Sequence, residues 1–162
     1  MAHPELQNIQ NKWKSETSSG NDLFHNKQYN LALKHYKQAQ IASEIMFRNV
    51  EYASLYNIPA IQPFSVSCKN LANNFWVLKD CQKAEDYLFY NIWCLKKLSK
   101  RNDLNEKLKV EVTDEWNKGV LAFVDFYHKT GQALTLDFWK DETYNMIKDA
   151  RQLLEKSKTY LN

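Results

Sequence analysis

Between Gly20 and Ala39 the chain sets small residues against bulky ones around one short polar turn, and few folds accept that pattern. Gly20 and Phe24 are spaced for one helix, which runs to about Asn26. Tyr29, Ala32, Tyr36 and Ala39 are spaced for a second. Two helices that pack closely need small side chains where their backbones approach and large ones on either side. The spacing therefore predicts a helical hairpin, with Gly20 at a point where a larger residue would clash.

Composition points the same way. There are only 3 Gly and 3 Pro in 162 residues, too few for the many tight turns of a sandwich or barrel. Leu, Ala, Lys, Gln and Glu are frequent and favour helix. Hydrophobic residues make up 44% of the chain, enough to build a core. The formal charge of +3 is mild and no dense Lys/Arg stripe is present, which disfavours nucleic-acid binding. The one basic run, Lys96-Lys97-Leu98-Ser99-Lys100-Arg101, falls near an expected helix C-terminus, where cations suit the helix dipole.

Met1-Ala2-His3-Pro4-Glu5 lacks the pattern of a secretory signal, and no apolar run is long enough to cross a membrane. Cys68, Cys81 and Cys94 form no Cys-x-x-Cys, and their spacing does not hold them on one helical face. The expectation is reduced thiols, a cytoplasmic location, and no metal or cofactor.

Three hairpins are predicted in one domain, 1–162, at about 4–56, 64–100 and 104–161. In the first, a helix begins near Pro4, with Leu6, Ile9 and Trp13 on its apolar face. Its partner starts at Tyr29 and continues as far as Tyr56. The segment from Asn57 to Pro63 then ends it. The second hairpin reads Leu71-Ala72-x2-Phe75, a Lys79-Asp80 turn, then Ala84-x3-Leu88. A polar loop at Arg101-Asn102-Asp103 follows, with Asn102 or Asp103 as a helix cap. The third hairpin has a helix from about Leu104 to Lys129, a stop at Gly131, and an amphipathic last helix carrying Trp139, Met146, Ile147, Ala150, Leu153 and Leu154.

Gly20-x3-Phe24 followed by Ala32-x3-Tyr36, and Ala72-x2-Phe75 followed by Ala84-x3-Leu88, resemble the small-x2-aromatic then Ala-x3-aromatic pattern of the tetratricopeptide (TPR) repeat. Two hairpins carry the resemblance and the third is degenerate. Equivalent positions Ala32 and Ala84 lie 52 residues apart, against ~34 for a regular repeat. Glu16 and Cys68 stand where the repeat usually has Trp. The resemblance implies an all-α stack of antiparallel helical hairpins, a TPR-like α-α superhelix, with the last helix as its cap.

It also implies a function. TPR stacks bind peptides or helices on the concave face made by the first helix of each hairpin. That geometry assigns a peptide-binding role to Lys14, Asn21, Phe24, His25, Lys69, Asn73, Trp76 and Lys118. Thr17, Val66, Val77, Leu121, Asp125 and His128 fall on the same face. Some TPR domains clamp a chaperone's C-terminal carboxylate with two Lys, two Asn and an Arg. Thr17, Asn21, Asn70, Lys118 and Ala122 stand at those positions, so two of the three cations are missing and the clamp is not expected.

No phosphate loop, His-Glu-x-x-His or nucleophile elbow is present, and the histidines and carboxylates do not converge. The reading is a non-enzymatic adaptor or scaffold that binds a protein or peptide partner. A small TPR-type chaperone for secreted proteins is the alternative, and a helical-repeat RNA binder a weaker one. Self-association into a homodimer through the last helix is a further reading.

Overall fold

A computed structural model describes residues 3–130 of the chain. Its helices are α1 (His3–His25), α2 (Tyr29–Arg48), α3 (Val50–Leu55), α4 (Ile61–Val77), α5 (Cys81–Ser99) and α6 (Glu106–Thr130). No strand occurs among the described residues, so the fold is all-α there. The chain divides into two units, Met1–Trp116 and Asn117–Asn162, with the boundary inside α6.

In the first unit α1 and α2 form the expected hairpin. Phe24 meets Tyr29, Glu16 meets His35 and Lys12 meets Gln38, so contacts rise along α2 as they fall along α1. That order makes the pair antiparallel. Gly20 is the tightest point. A Cβ placed there would lie 2.6 Å from the Tyr36 ring. The close approach is thus between the α1 backbone and an aromatic ring, where the sequence reading has two backbones meeting. The ring cannot swing aside easily, because it is buried and its hydroxyl donates to Asn21 Oδ1 at 2.9 Å.

The turns of the two hairpins match. Lys27 and Lys79 adopt left-handed φ values of 61° and 65°. In each, the N–H of that residue donates to a carbonyl three back, and the next N–H to one five back, which closes the helix end.

α4 packs antiparallel on α2. Phe47 stacks on Phe64 with centroids 4.3 Å apart, Cys68 lies on Gln40, and Asn74 Nδ2 donates to the Tyr29 carbonyl at 3.1 Å. α5 returns along α4, with Tyr87 stacked on Phe75 and Tyr90 edge-on to Phe64. The core is the shared seam of Leu6, Ala32, Met46, Phe64, Cys68, Leu71, Ala84, Ile92 and Leu95, all nearly or wholly buried. Filling such seams with side chains of this size stabilises by about 1.5–3 kcal/mol for each large one.

Three boundaries depart from the sequence expectation. The second helix does not run unbroken to Tyr56. Asn49 leaves helical geometry at φ −110° and ψ 31°, and its Nδ2 donates to the Ile45 carbonyl at 2.8 Å. A side chain that bonds its own preceding turn competes with the helix ladder. The chain restarts as α3, whose end returns to α1 through a Tyr56–His3 stack at 4.3 Å. The break from Asn57 to Pro63 is also shorter than expected. α4 begins at Ile61, and Pro63 sits in its first turn, where no N–H is needed for the ladder. Finally, neither Asn102 nor Asp103 caps α6. Asn105 does, with Oδ1 accepting from the Leu108 N–H at 2.9 Å, while Asp103 pairs with Arg101.

Within Asn117–Thr130, α6 buries Val120, Phe123, Phe126 and Tyr127. Asp125 pairs with Lys129 on its exposed side. The expected turn at Gly131 and the last amphipathic helix lie outside the described residues.

Candidate peptide-binding face

Because α2 contacts both α1 and α4 and runs antiparallel to each, α1 and α4 are parallel neighbours. They touch where Trp13 Nε1 donates to Ser67 Oγ at 2.9 Å. At about 100° per residue, the sides of these two helices turned away from the core carry two stripes, the α1 stripe reaching α2 at Asn21. Lys14, Ser18, Asn21 and His25 form one on α1. Gln62, Val66, Lys69, Asn70 and Asn73 form the other on α4. None of the nine is fully buried.

Seven of the residues assigned to binding fall on these stripes or beside them. Lys14, His25 and Asn73 are exposed, and Lys69 is half-buried. Asn21 is half-buried and accepts the Tyr36 hydroxyl, so one of its groups is already committed to the hairpin. Phe24 is half-buried, and its ring meets Tyr29 at 5.2 Å and Tyr36 at 6.4 Å, packing within hairpin one. Trp76 is half-buried and already engaged in an interaction. Lys118 is exposed and belongs to the Asn117–Asn162 unit.

The electrostatics of the stripes are simple. α4 contains no Asp or Glu, and Lys69 is its single charged side chain. Among the carboxylates of α1, Glu16 is bound to His35 Nδ1 at 2.8 Å, turned towards α2. Asp22 lies on the outer flank of the α1 stripe. The face therefore combines amides, which can donate and accept together, with two separated ammonium groups.

Elsewhere in the first unit, polar and ionisable groups have structural work. Asp80 caps α5 by accepting from the Lys83 N–H and pairing with its ammonium, which lowers the Asp80 pKa. Glu44 accepts from Tyr90 and Gln40 and faces Arg48. Burial pushes the Cys68 and Cys94 thiols up, keeping them protonated and unreactive. Glu111 is pushed up by burial and accepts the Gln62 N–H at the start of α4. It also lines a cleft of about 230 Å³ with Lys107, Ile58 and Pro59. The basic run from Lys96 to Arg101 is likewise used. Lys96 lies over the Trp116 ring, Lys97 over Trp93, and Arg101 bridges Glu51 and Asp103.

One feature is not apparent from helical spacing. The outer side of α5 has a shallow apolar depression of about 510 Å³, lined among the described residues by Lys83, Asp86, Tyr87, Phe89, Tyr90 and Trp93. The signal was there in the aromatic run Tyr87–Trp93, but helical spacing alone does not separate an outward ring from a seam ring.

No group of three or more His, Cys, Asp or Glu suited to a metal occurs among the described residues. No helix there is long and apolar enough to cross a membrane. A protein-family model described as a protein of unknown function (DUF2753) matches residues 11–142, more than half of the chain. No curated protein and no solved structure matches it.

Proposed function

The chain belongs to the DUF2753 family, and we propose that it is a non-enzymatic protein-interaction module with TPR-like stacking, an adaptor or scaffold. Its α1/α4 face would take an extended peptide or a helix from a partner protein, in the cytoplasm. The observation that carries this reading is the division of labour on α1 and α4. Most of their apolar residues are spent on the seams with α2 and α5, while the stripes, Val66 apart, keep polar and charged groups. Amides such as the half-buried Asn70 and the exposed Asn73 suit a peptide backbone, which offers a donor and an acceptor at each residue. The carboxylates discussed above are used as caps and cross-helix bonds, which supports an architectural role over a catalytic one.

A photoreactive side chain at Asn73 tests the reading. It should give a discrete adduct with a partner protein in cells, whereas the same group at the exposed Ile41 of α2 should give none. Adducts at position 41 and none at 73 would reject the face.

A second reading is favoured by the α5 depression. Four aromatic side chains around a shallow apolar hollow suit an unfolded apolar segment, as a chaperone for secreted proteins would bind. In that case Trp93→Ala would weaken binding and Asn73→Ala would not.

A further inference from the structure

We propose that the cleft between the end of α3 and the start of α6 binds a free apolar α-amino acid, whose ammonium meets Glu111 and whose carboxylate meets Lys107. This site shares no residue with the α1/α4 face.

The cleft holds about 230 Å³, and its lining comes from two short stretches, 50–60 and 107–111. That is below the roughly 300–1,000 Å³ of sites for drug-sized ligands, so one small molecule fits and a peptide does not. Val50, Ile58, Ala60 and Leu108 supply an apolar wall, and each is at most 4% exposed. Backbone bonds hold part of that wall in place. The Asn57 N–H donates to the Ser54 carbonyl at 3.1 Å, and the Ile58 N–H to the Ala53 carbonyl at 2.9 Å. The wall is therefore formed before a ligand arrives, which keeps the ordering cost of binding low.

The charges of the cleft come from Lys107 and Glu111, one helical turn apart on α6. They form no ion pair with each other, and the pair in that turn joins Lys109 to Glu106. Lys ahead of Glu is also the weaker order for direct pairing on a helix. Glu111 is half-buried, and burial raises its pKa, with Glu115 adding to the effect and Lys107 opposing it. A carboxylate short of water gains from a cation that replaces the lost hydration. Glu111 accepts the Gln62 N–H, and a carboxylate has about four acceptor sites, so others remain for an ammonium.

These two charges select the ligand. A simple amine would meet Lys107 as a like charge, and a simple acid would meet Glu111 as one. A neutral apolar molecule would match neither. A zwitterion with a short apolar side chain satisfies both charges and the wall together.

NMR of the labelled full chain tests this with three probes of one skeleton: L-leucine, its decarboxylated counterpart isoamylamine, and its deaminated counterpart isocaproate. L-Leucine should bind about tenfold tighter than either, or more, and shift amides within 50–60 and 107–111. Glu111→Gln should weaken L-leucine about tenfold and leave isocaproate no weaker. Lys107→Gln should weaken L-leucine and leave isoamylamine no weaker. Lys107 is exposed, so that variant keeps the test open if circular dichroism shows that Glu111→Gln unfolds. L-Serine, which lacks the apolar side chain, should bind more weakly than L-leucine. Absence of L-leucine binding at millimolar concentration would overturn the site. Isoamylamine or isocaproate binding as tightly as L-leucine would overturn the zwitterion. Shifts confined to other stretches of the chain would overturn the placement.

Discussion

The two hairpins of the first unit are built to one plan offset by 52 residues, and they solve it with different side chains. Gly20 corresponds to Ala72, Lys27 to Lys79, Gln28 to Asp80, Ala32 to Ala84 and Tyr36 to Leu88. Hairpin one sets the smallest residue against a large ring. Hairpin two sets Ala72 and Leu88 at the same two places, both buried. The summed size is similar while its division differs. A helical hairpin therefore constrains the volume at its crossing more tightly than the residue at either position. The caps differ too. Asp80 caps α5 with its side chain, whereas Gln28 makes no such bond to α2.

The largest expected effect breaks the crossing of hairpin one. Gly20→Ala drives a Cβ into the Tyr36 ring and should destabilise by about 1–3 kcal/mol in denaturant unfolding. Adding Tyr36→Leu gives hairpin one the pair of hairpin two. The double variant should recover part of the loss, so the two changes should be non-additive in a double-mutant cycle. Simple additivity would show that the crossing is not a shared volume.

The caps come next. Gln28→Asp should give α2 the side-chain bond that α5 already has, and raise stability by about 1 kcal/mol. Asp80→Ala should lower Tm, while Gln28→Ala should leave it nearly unchanged. The smallest effects belong to the turns. Lys27→Gly and Lys79→Gly relieve left-handed φ values and should each stabilise by up to about 1 kcal/mol, nearly equally if the turns are true counterparts.

Much of this plan is legible in the sequence, because small residues and turn residues report local geometry. Gly20, Ala32, Ala72 and Ala84 mark buried positions, and Lys79-Asp80 marks a turn. What stays hidden depends on individual hydrogen bonds. Asn49 breaks the long second helix through one bond to Ile45, yet Asn at that place reads as ordinary helix surface. Asn105 caps α6 while two neighbours, Asn102 and Asp103, offer the same chemistry. Pro63 looks like a breaker until its place in the first turn is known.

The candidate face is legible to a lesser degree. Helical spacing puts Lys14, Asn21, Lys69 and Asn73 on one side of their helices. It does not reveal that Phe24 packs on Tyr29 and Tyr36, or that Asn21 holds the Tyr36 hydroxyl. Those contacts belong to the neighbouring helix, which a single-helix pattern cannot include. Nor does spacing show that Lys69 is half-buried while Lys14 is exposed.

The central claim is that α1 and α4, and not α5, present the binding surface. Amide chemical shifts of the labelled chain, followed by NMR as a peptide that it binds is added, test it most directly. The account predicts the largest changes at Lys14–His25 and Gln62–Trp76, with the stretch from Tyr87 to Lys97 unmoved. Changes concentrated on Tyr87, Phe89, Tyr90 and Trp93, with α1 and α4 silent, would contradict it.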